Sequence, residues 1–125
     1  MKKIVITGGL GYIGTELCKL YSGESRYTDI TVIDDRFVSE RVKQLRDYGI
    51  NFVQSSILDT EVLTKYLSDA DVVIHLAGIT NVAYTKTESN IEKDKEITEV
   101  GVQGTRNVIE CSGKDTKIPI DTCSV

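Results

Sequence analysis

The chain has 125 residues, with 15 Lys and Arg against 19 Asp and Glu, a formal net charge of −4 at pH 7, 40% hydrophobic residues and 27% charged ones. That length suits one domain over residues 1–125, and that composition suits an ordinary globular core, which excludes a chain disordered throughout. The acidic balance argues against a nucleic-acid-binding module and against polybasic membrane attachment, and no run approaches the roughly 20 apolar residues of a spanning helix.

Apolar, β-rich runs alternate with longer helical patterns. Lys3–Thr7 reads as a first strand, and Tyr12–Tyr21 as a helix with Ile13, Leu17 and Leu20 on one face. Ile30–Asp34 is a second strand, Ser39–Asp47 a helix with Val42 and Leu45 inward, and Asn51–Gln54 a third strand. Asp59 suits the N-cap of a helix over Thr60–Leu67, because its carboxylate can accept the free N–H groups of a first turn. Asp71–Leu76 is a fourth strand, apolar without alternation, as a central parallel strand should be. A long helix covers Glu92–Ser112 with Ile97, Val100, Gly104, Val108 and Cys111 on its inner face, and Ile118–Thr122 is a fifth strand. Strands separated by helices require right-handed crossovers, hence a parallel sheet covered on both faces, with expected order 3-2-1-4-5.

Between Gly78 and the long helix the chain turns polar, and seven of the eleven residues of Lys86–Glu96 are charged. The stretch reads as a solvated loop running into exposed helical turns, or as a flap over a ligand site. Cys18, Cys111 and Cys123 form no Cys-x-x-Cys pair, and with one His they make no metal-ligand cluster, so free thiols are expected. The N-terminal apolar run is too short for a signal-peptide core, and a cytoplasmic location follows as the expectation.

Residues 7–14 read Thr-Gly-Gly-Leu-Gly-Tyr-Ile-Gly, with Gly8, Gly11 and Gly14 spaced by three between a predicted strand and a predicted helix. The free N–H groups and positive dipole end of such a helix attract an anion, and glycine lets the backbone come close to a pyrophosphate. Asp34 follows Gly14 by 20 residues at the end of the second strand, where a carboxylate accepts hydrogen bonds from adenosine ribose hydroxyls. Together these predict dinucleotide binding. A carboxylate there repels a 2′-phosphate, which favours NAD over NADP, whereas Arg36, two residues on, is the cation that would favour the phosphate. A nucleotide-hydrolase phosphate loop is excluded, because no Lys-Ser/Thr follows Gly14.

That glycine loop, Val32-Ile33-Asp34-Asp35, His75-Leu76-Ala77-Gly78 and Gly104-Thr105-Arg106-Asn107-Val108 resemble, in order and spacing, the extended short-chain dehydrogenase/reductases. The nearest group is the NAD-dependent nucleotide-sugar epimerases and dehydratases of the UDP-glucose 4-epimerase kind. The resemblance implies an α/β, Rossmann-like doubly wound parallel sheet, NAD as cofactor and a nucleotide sugar as substrate. It implies that Gly8, Gly11, Tyr12, Ile13 and Gly14 hold the pyrophosphate and that Asp34 and Asp35 sit at the adenosine ribose. Ser56-Ile57 stands where the family has Asp-Ile beside adenine. Leu76, Ala77 and Gly78 would line the cofactor, with Thr80 where several relatives place a Lys. Thr122 and Ser124 fall at the end of the fifth strand, where Ser124 would supply a catalytic hydroxyl. His75 is expected to be structural, and Asn107 to hydrogen-bond nearby backbone.

Two departures stand out. Gly101 replaces the Asn that the family has three residues before Gly104. The family's general acid/base is a Tyr-x-x-x-Lys pair, yet Tyr12, Tyr21, Tyr27, Tyr48, Tyr66 and Tyr84 are followed four positions on by Glu16, Ser25, Thr31, Phe52, Ala70 and Glu88. The expectation is therefore the cofactor-binding part of such an enzyme, catalytically incomplete by itself, with a fifth strand left as an open edge that favours a homo-oligomer. The alternative is a non-catalytic NAD-binding module.

Overall fold

The computed structural model describes residues 2–21, 28–77 and 91–118, with the side chains of Tyr12 and of residues 91–100 outside that description. In chain order the elements are β1 (Lys2–Thr7), α1 (Tyr12–Tyr21), β2 (Thr28–Asp34), α2 (Ser39–Asp47), β3 (Asn51–Gln54), α3 (Thr60–Leu67), β4 (Val72–His75) and α4 (Ile91–Cys111). The four strands form one parallel sheet in the order β3-β2-β1-β4. This is the expected order of a Rossmann-like sheet over its first four strands, and every helix falls within a residue of its predicted bounds.

Burial on both faces explains why the strands read as unbroken apolar runs. Successive side chains of a strand point to opposite faces. Ile4 and Ile6 of β1 therefore join Ile30, Val32, Leu10, Cys18, Val42 and Leu45 in a core beneath α1 and α2. Val5 joins Ile33, Val73, Leu63, Leu67 and Val108 in a second core beneath α3 and α4. Each fully buried aliphatic side chain contributes roughly 1.5–3 kcal/mol relative to exposure.

Local signals decide the helix starts and the closest contacts. Asp59 Oδ1 accepts from Val62 N at 3.3 Å, the predicted N-cap of α3. Gly104 brings α4 so close to the sheet side that a Cβ there would overlap the Ile57 side chain. Three residues on, buried Asn107 donates Nδ2 to the Ile57 carbonyl at 3.1 Å, the backbone bond expected of it.

The predicted inner face of α1 needs correction. Ile13 is 63% exposed and Leu20 76% exposed. Gly14 and Cys18 are buried, and Leu17 and Tyr21 pack against the first core. Gly14 sits against the backbone of Gly9, and with that glycine turned inward the helical repeat carries Ile13 and Leu20 outward.

The predicted fifth strand lies mostly beyond residue 118, outside the described residues. A parallel bridge joins Val72 to Lys117. Val73 N donates to the Lys117 carbonyl and Lys117 N to the Asp71 carbonyl, both at 2.9 Å. The chain thus returns alongside β4 at that point. Of the polar stretch, residues 78–90 lie outside the described residues, and α4 begins at Ile91.

Candidate functional site

The carboxyl ends of β1, β2 and β4 bring Thr7, Asp34 and His75 to one edge of the sheet, the edge at which open α/β sheets bind ligands. The segment leaving β1 turns sharply there. Gly8 has φ +70°, a conformation that L side chains rarely adopt, and donates its N–H to the Ile33 carbonyl at 2.7 Å. Gly11 N donates back to the Gly8 carbonyl at 3.0 Å, and α1 starts at the next residue, Tyr12.

Gly8 and Gly14 have no room for a side chain. A Cβ on Gly8 would stand 2.7 Å from Ala77 N and 2.8 Å from Leu76 C, and one on Gly14 would stand 2.5 Å from Gly9 Cα. Bare backbone is thus held at the first turn of a ten-residue helix, whose first N–H groups have no partners within the helix. Backbone N–H groups exposed at a helix start can meet an anion, and Gly8, Gly11 and Gly14 shape the turn that presents them.

Asp34 closes the site on the β2 side. It is 4% exposed. Its Oδ2 accepts from Leu10 N at 3.0 Å and its Oδ1 from Arg36 N at 3.0 Å. The Arg36 guanidinium adds Nε at 3.3 Å to Oδ1 and Nη2 at 3.5 Å to Oδ2, and the same Nη2 reaches toward Gly11. Arg41 Nη1 donates to the Leu10 carbonyl from the other side, so the glycine turn is tied at both its N–H and its C=O.

At the β4 side, His75 is 2% exposed, and burial lowers its pKa from the ordinary 6.5. Thr7 Oγ1 lies 2.6 Å from His75 Nδ1, and Thr105 Oγ1 of α4 lies 3.1 Å from Nε2. Leu76 N and Ala77 N also donate to Thr7 Oγ1, at 3.2 and 3.3 Å. His75 is thus the hydrogen-bonded buried residue expected of it.

The other predicted positions divide clearly. Leu76 and Ala77 are half-buried against the glycine turn, whereas Asp35 is exposed and offers its carbonyl to Gln54 Nε2 at 3.3 Å. Ser56 shapes the turn into α3, its Oγ accepting from Leu58 N at 3.1 Å and its carbonyl from Asp59 N at 3.1 Å. Ile57, 6% exposed, packs in the second core. Tyr12 and Ile13 open α1 beside the turn. Gly78, Thr80, Thr122 and Ser124 lie outside the described residues. Sequence reasoning missed Thr7 and Arg41. The signal for Thr7 was a hydroxyl at the end of an otherwise apolar strand, directly before Gly8, and Arg41 carried no local signal.

A sequence profile of the 3-beta hydroxysteroid dehydrogenase/isomerase family matches residues 5–123. The chain belongs to that family. The chain is 32% identical over 118 residues to a UDP-N-acetyl-alpha-D-glucosaminuronate decarboxylase of Bacillus cytotoxicus, covering 93% of this chain and 34% of that protein. It is 29% identical over 116 residues to a dTDP-D-glucose 4,6-dehydratase of Dictyostelium discoideum, covering 88% and 26%. Among solved structures, DesIV, a dTDP-glucose 4,6-dehydratase from Streptomyces venezuelae with NAD and TYD bound, superposes with a TM-score of 0.70 at 25% identity, covering 87% of this chain and 35% of that one. The chain therefore spans about a third or less of the length of these relatives. Among the described residues, no helix is long and apolar enough to cross a membrane.

Proposed function

We propose that residues 1–125 form the dinucleotide-binding part of an NAD-dependent nucleotide-sugar epimerase or dehydratase. The observation that carries this reading is the tight glycine turn at Gly8–Gly14, packed on Leu76–Ala77 and flanked by the buried carboxylate of Asp34. Relatives that act on nucleotide sugars, and a similar solved structure holding NAD, support the same reading.

The residues fit the cofactor in charge and shape. The backbone of Gly8, Gly11, Tyr12, Ile13 and Gly14 would face the pyrophosphate, because glycine at Gly8 and Gly14 lets the turn pack directly on the Leu76–Ala77 backbone and α1 on Gly9, which brings the start of α1 close to the sheet end. Asp34 would accept from the ribose hydroxyls once the guanidinium of Arg36 swings aside, and its two backbone donors would keep the carboxylate aimed. Asp35, Ser56 and Ile57 would border the adenosine end. Leu76, Ala77, Gly78, Thr80 and Thr122 would line the nicotinamide side, with the Ser124 hydroxyl polarising a sugar oxygen. Bound there, NAD would supply reversible hydride transfer with a sugar carbon.

The 125 residues hold no Tyr-x-x-x-Lys, so the acid–base pair of the family's sugar chemistry is not among them. Gly101 and Ser56, where the family has Asn and Asp, favour a second reading, a non-catalytic NAD-binding module. Free Cys18 and Cys111 suit the reducing cytoplasm proposed as its location. Self-association through the sheet edge beyond β4 is part of the proposal, to be tested by sedimentation.

Calorimetric titration with NAD and NADP tests the cofactor reading. NAD should bind more tightly than NADP, and Asp34→Ala should weaken NAD roughly tenfold to a hundredfold, the loss of charge-assisted hydrogen bonds. A chain that binds neither dinucleotide refutes the reading. Epimerisation or dehydration of a nucleotide sugar by this chain alone would refute the assignment of the cofactor part only.

A further inference from the structure

We propose that Thr7 and His75 are positioning residues for the cofactor cleft: one imidazole tautomer, held between the hydroxyls of Thr7 and Thr105, fixes the Leu76–Ala77 backbone against Gly8. The cofactor half of this statement rests on the reading given above, whereas the tautomer and the backbone position do not.

The hydrogen-bond inventory at Thr7 decides the tautomer. Thr7 and His75 face each other in register at the ends of β1 and β4, and both are buried. A hydroxyl has one proton and two acceptor positions. At Thr7 Oγ1 the acceptor side faces two backbone N–H groups, Leu76 N at 3.2 Å and Ala77 N at 3.3 Å. Its proton therefore goes to the remaining neighbour, His75 Nδ1, at 2.6 Å. Nδ1 accepts, so the ring proton sits on Nε2 and is donated to Thr105 Oγ1, 3.1 Å away on α4. With the other tautomer, Nδ1–H would become a third N–H group directed at Oγ1, one more than its two acceptor positions, and the Thr7 hydroxyl proton would lose Nδ1 as its acceptor.

The same hydroxyl reaches the cleft. Leu76 N has a second acceptor in the Thr7 carbonyl at 3.0 Å. Ala77 N is the atom nearest to a Cβ built on Gly8, at 2.7 Å. The Thr7 hydroxyl thus holds the strand end that packs on the one residue of the turn with positive φ. A shift of a few tenths of an ångström there moves one wall of the cleft relative to the other, and dinucleotide binding depends on both.

Among the described residues, the groups that hydrogen-bond the ring are uncharged. Its partners are Thr7 of β1 and Thr105 of α4, and burial is the one cause of its lowered pKa. On the elements packed against it, Lys2 and Lys3 stand at the far end of β1, and Arg106 and Glu110 occupy exposed positions of α4. Neutral, singly protonated imidazole is the state that all four hydrogen bonds to this cluster require.

The chain has one histidine, so its ring nitrogens can be read without ambiguity by long-range ¹H–¹⁵N NMR. The wild-type chain should show the Nε2–H tautomer. Thr7→Val keeps the shape and removes the hydroxyl. It should abolish the tautomer preference, displace the amide signals of Gly8 and Ala77, and weaken NAD roughly tenfold. Thr7→Ser should restore all three. Should Thr7→Val not fold, Thr105→Val tests the ring from the helix side and should likewise erode the Nε2–H preference. An Nδ1–H tautomer in the wild type, or Thr7→Val with unchanged amide signals and unchanged NAD affinity, would overturn the proposal. A wild-type chain that binds no dinucleotide but shows the Nε2–H tautomer and the Thr7-dependent amide shifts would overturn the cofactor reading and leave the positioning of Leu76–Ala77 supported.

Discussion

The guanidinium of Arg36 lies on the carboxylate of Asp34, with Nε 3.3 Å from Oδ1 and Nη2 3.5 Å from Oδ2. The carboxylate is 3% exposed at its side chain while the arginine side chain is 58% exposed. The pair is asymmetric: Asp34 is fixed by backbone donors from Leu10 and Arg36, and the guanidinium is the partner free to leave. Any diol that uses this carboxylate competes with Arg36, and any 2′-phosphate is met by it.

Arg36→Ala therefore separates the two cofactors. Removing an exposed ion-pair partner frees the carboxylate at little cost, so NAD affinity should rise by up to about fivefold. NADP affinity should fall, because the guanidinium beside the carboxylate is gone. Calorimetry at low salt measures both, and an unchanged NAD-to-NADP ratio would show that Arg36 takes no part in discrimination.

Two glycine-to-alanine substitutions should have opposite signs. At Gly14 a Cβ meets backbone, Gly9 Cα at 2.5 Å and the Gly8 carbonyl oxygen at 2.8 Å. Backbone cannot swing away like a side-chain tip, so Gly14→Ala should destabilise by about 1–3 kcal/mol. At Gly101, in α4, a Cβ meets nothing within 4 Å, and Gly101→Ala should stabilise by up to about 1 kcal/mol through helix propensity. Urea unfolding of the two variants checks both, and equal effects would mean that packing at the turn is looser than its distances imply.

Histidine burial sets an acid limit on stability. His75 has its folded pKa lowered from 6.5 by burial alone. Below 6.5 the unfolded chain binds a proton that the folded one resists, so stability should fall as pH drops through that value and continue falling until the lowered folded pKa is reached. His75→Asn, whatever its cost at pH 8, should flatten the slope between pH 7 and 5. Asp69 acts in a separate window. The Lys3 ammonium, 2.5 Å away, lowers its pKa from 3.8, so that contribution is present above 3.8 and is lost below it. Chemical denaturation at a series of pH values tests the slope, and parallel wild-type and variant curves would exclude His75 as its origin.

Cys18 should be the last described thiol to react. It is 0% exposed on the inner face of α1, and burial pushes its pKa up to about 11. A thiol reagent needs the thiolate. Half-buried Cys111 should label in the native protein, and Cys18 only at the rate of unfolding. Peptide mapping after timed labelling distinguishes them, and early labelling of Cys18 would show that α1 opens independently of the sheet.

Much of this molecule was legible in one dimension. Period and punctuation predicted five strands and four helices, and the first four strands and all four helices are in place, because apolar runs between glycines and polar turns leave few alternatives for a parallel sheet. The Gly8–Gly14 spacing and the position of Asp34 announced a tight turn at a helix start with a carboxylate beside it, since those features are local or lie on consecutive elements. What the sequence could not decide depended on which atoms meet across the sheet. The rotation of α1 was set by Gly14 pressing on Gly9, not by the apolar count, and this turned Ile13 and Leu20 outward against expectation. Ile57, placed beside adenine by resemblance, is also the surface on which α4 seats Gly104, a contact no local pattern signals. The partners of His75 stand 68 residues before it and 30 after it, and its tautomer follows from hydroxyl protons that no spacing rule encodes. Secondary structure follows from short-range periodicity. The placement of a buried proton or a guanidinium follows from close packing, which exists only once distant segments have come together.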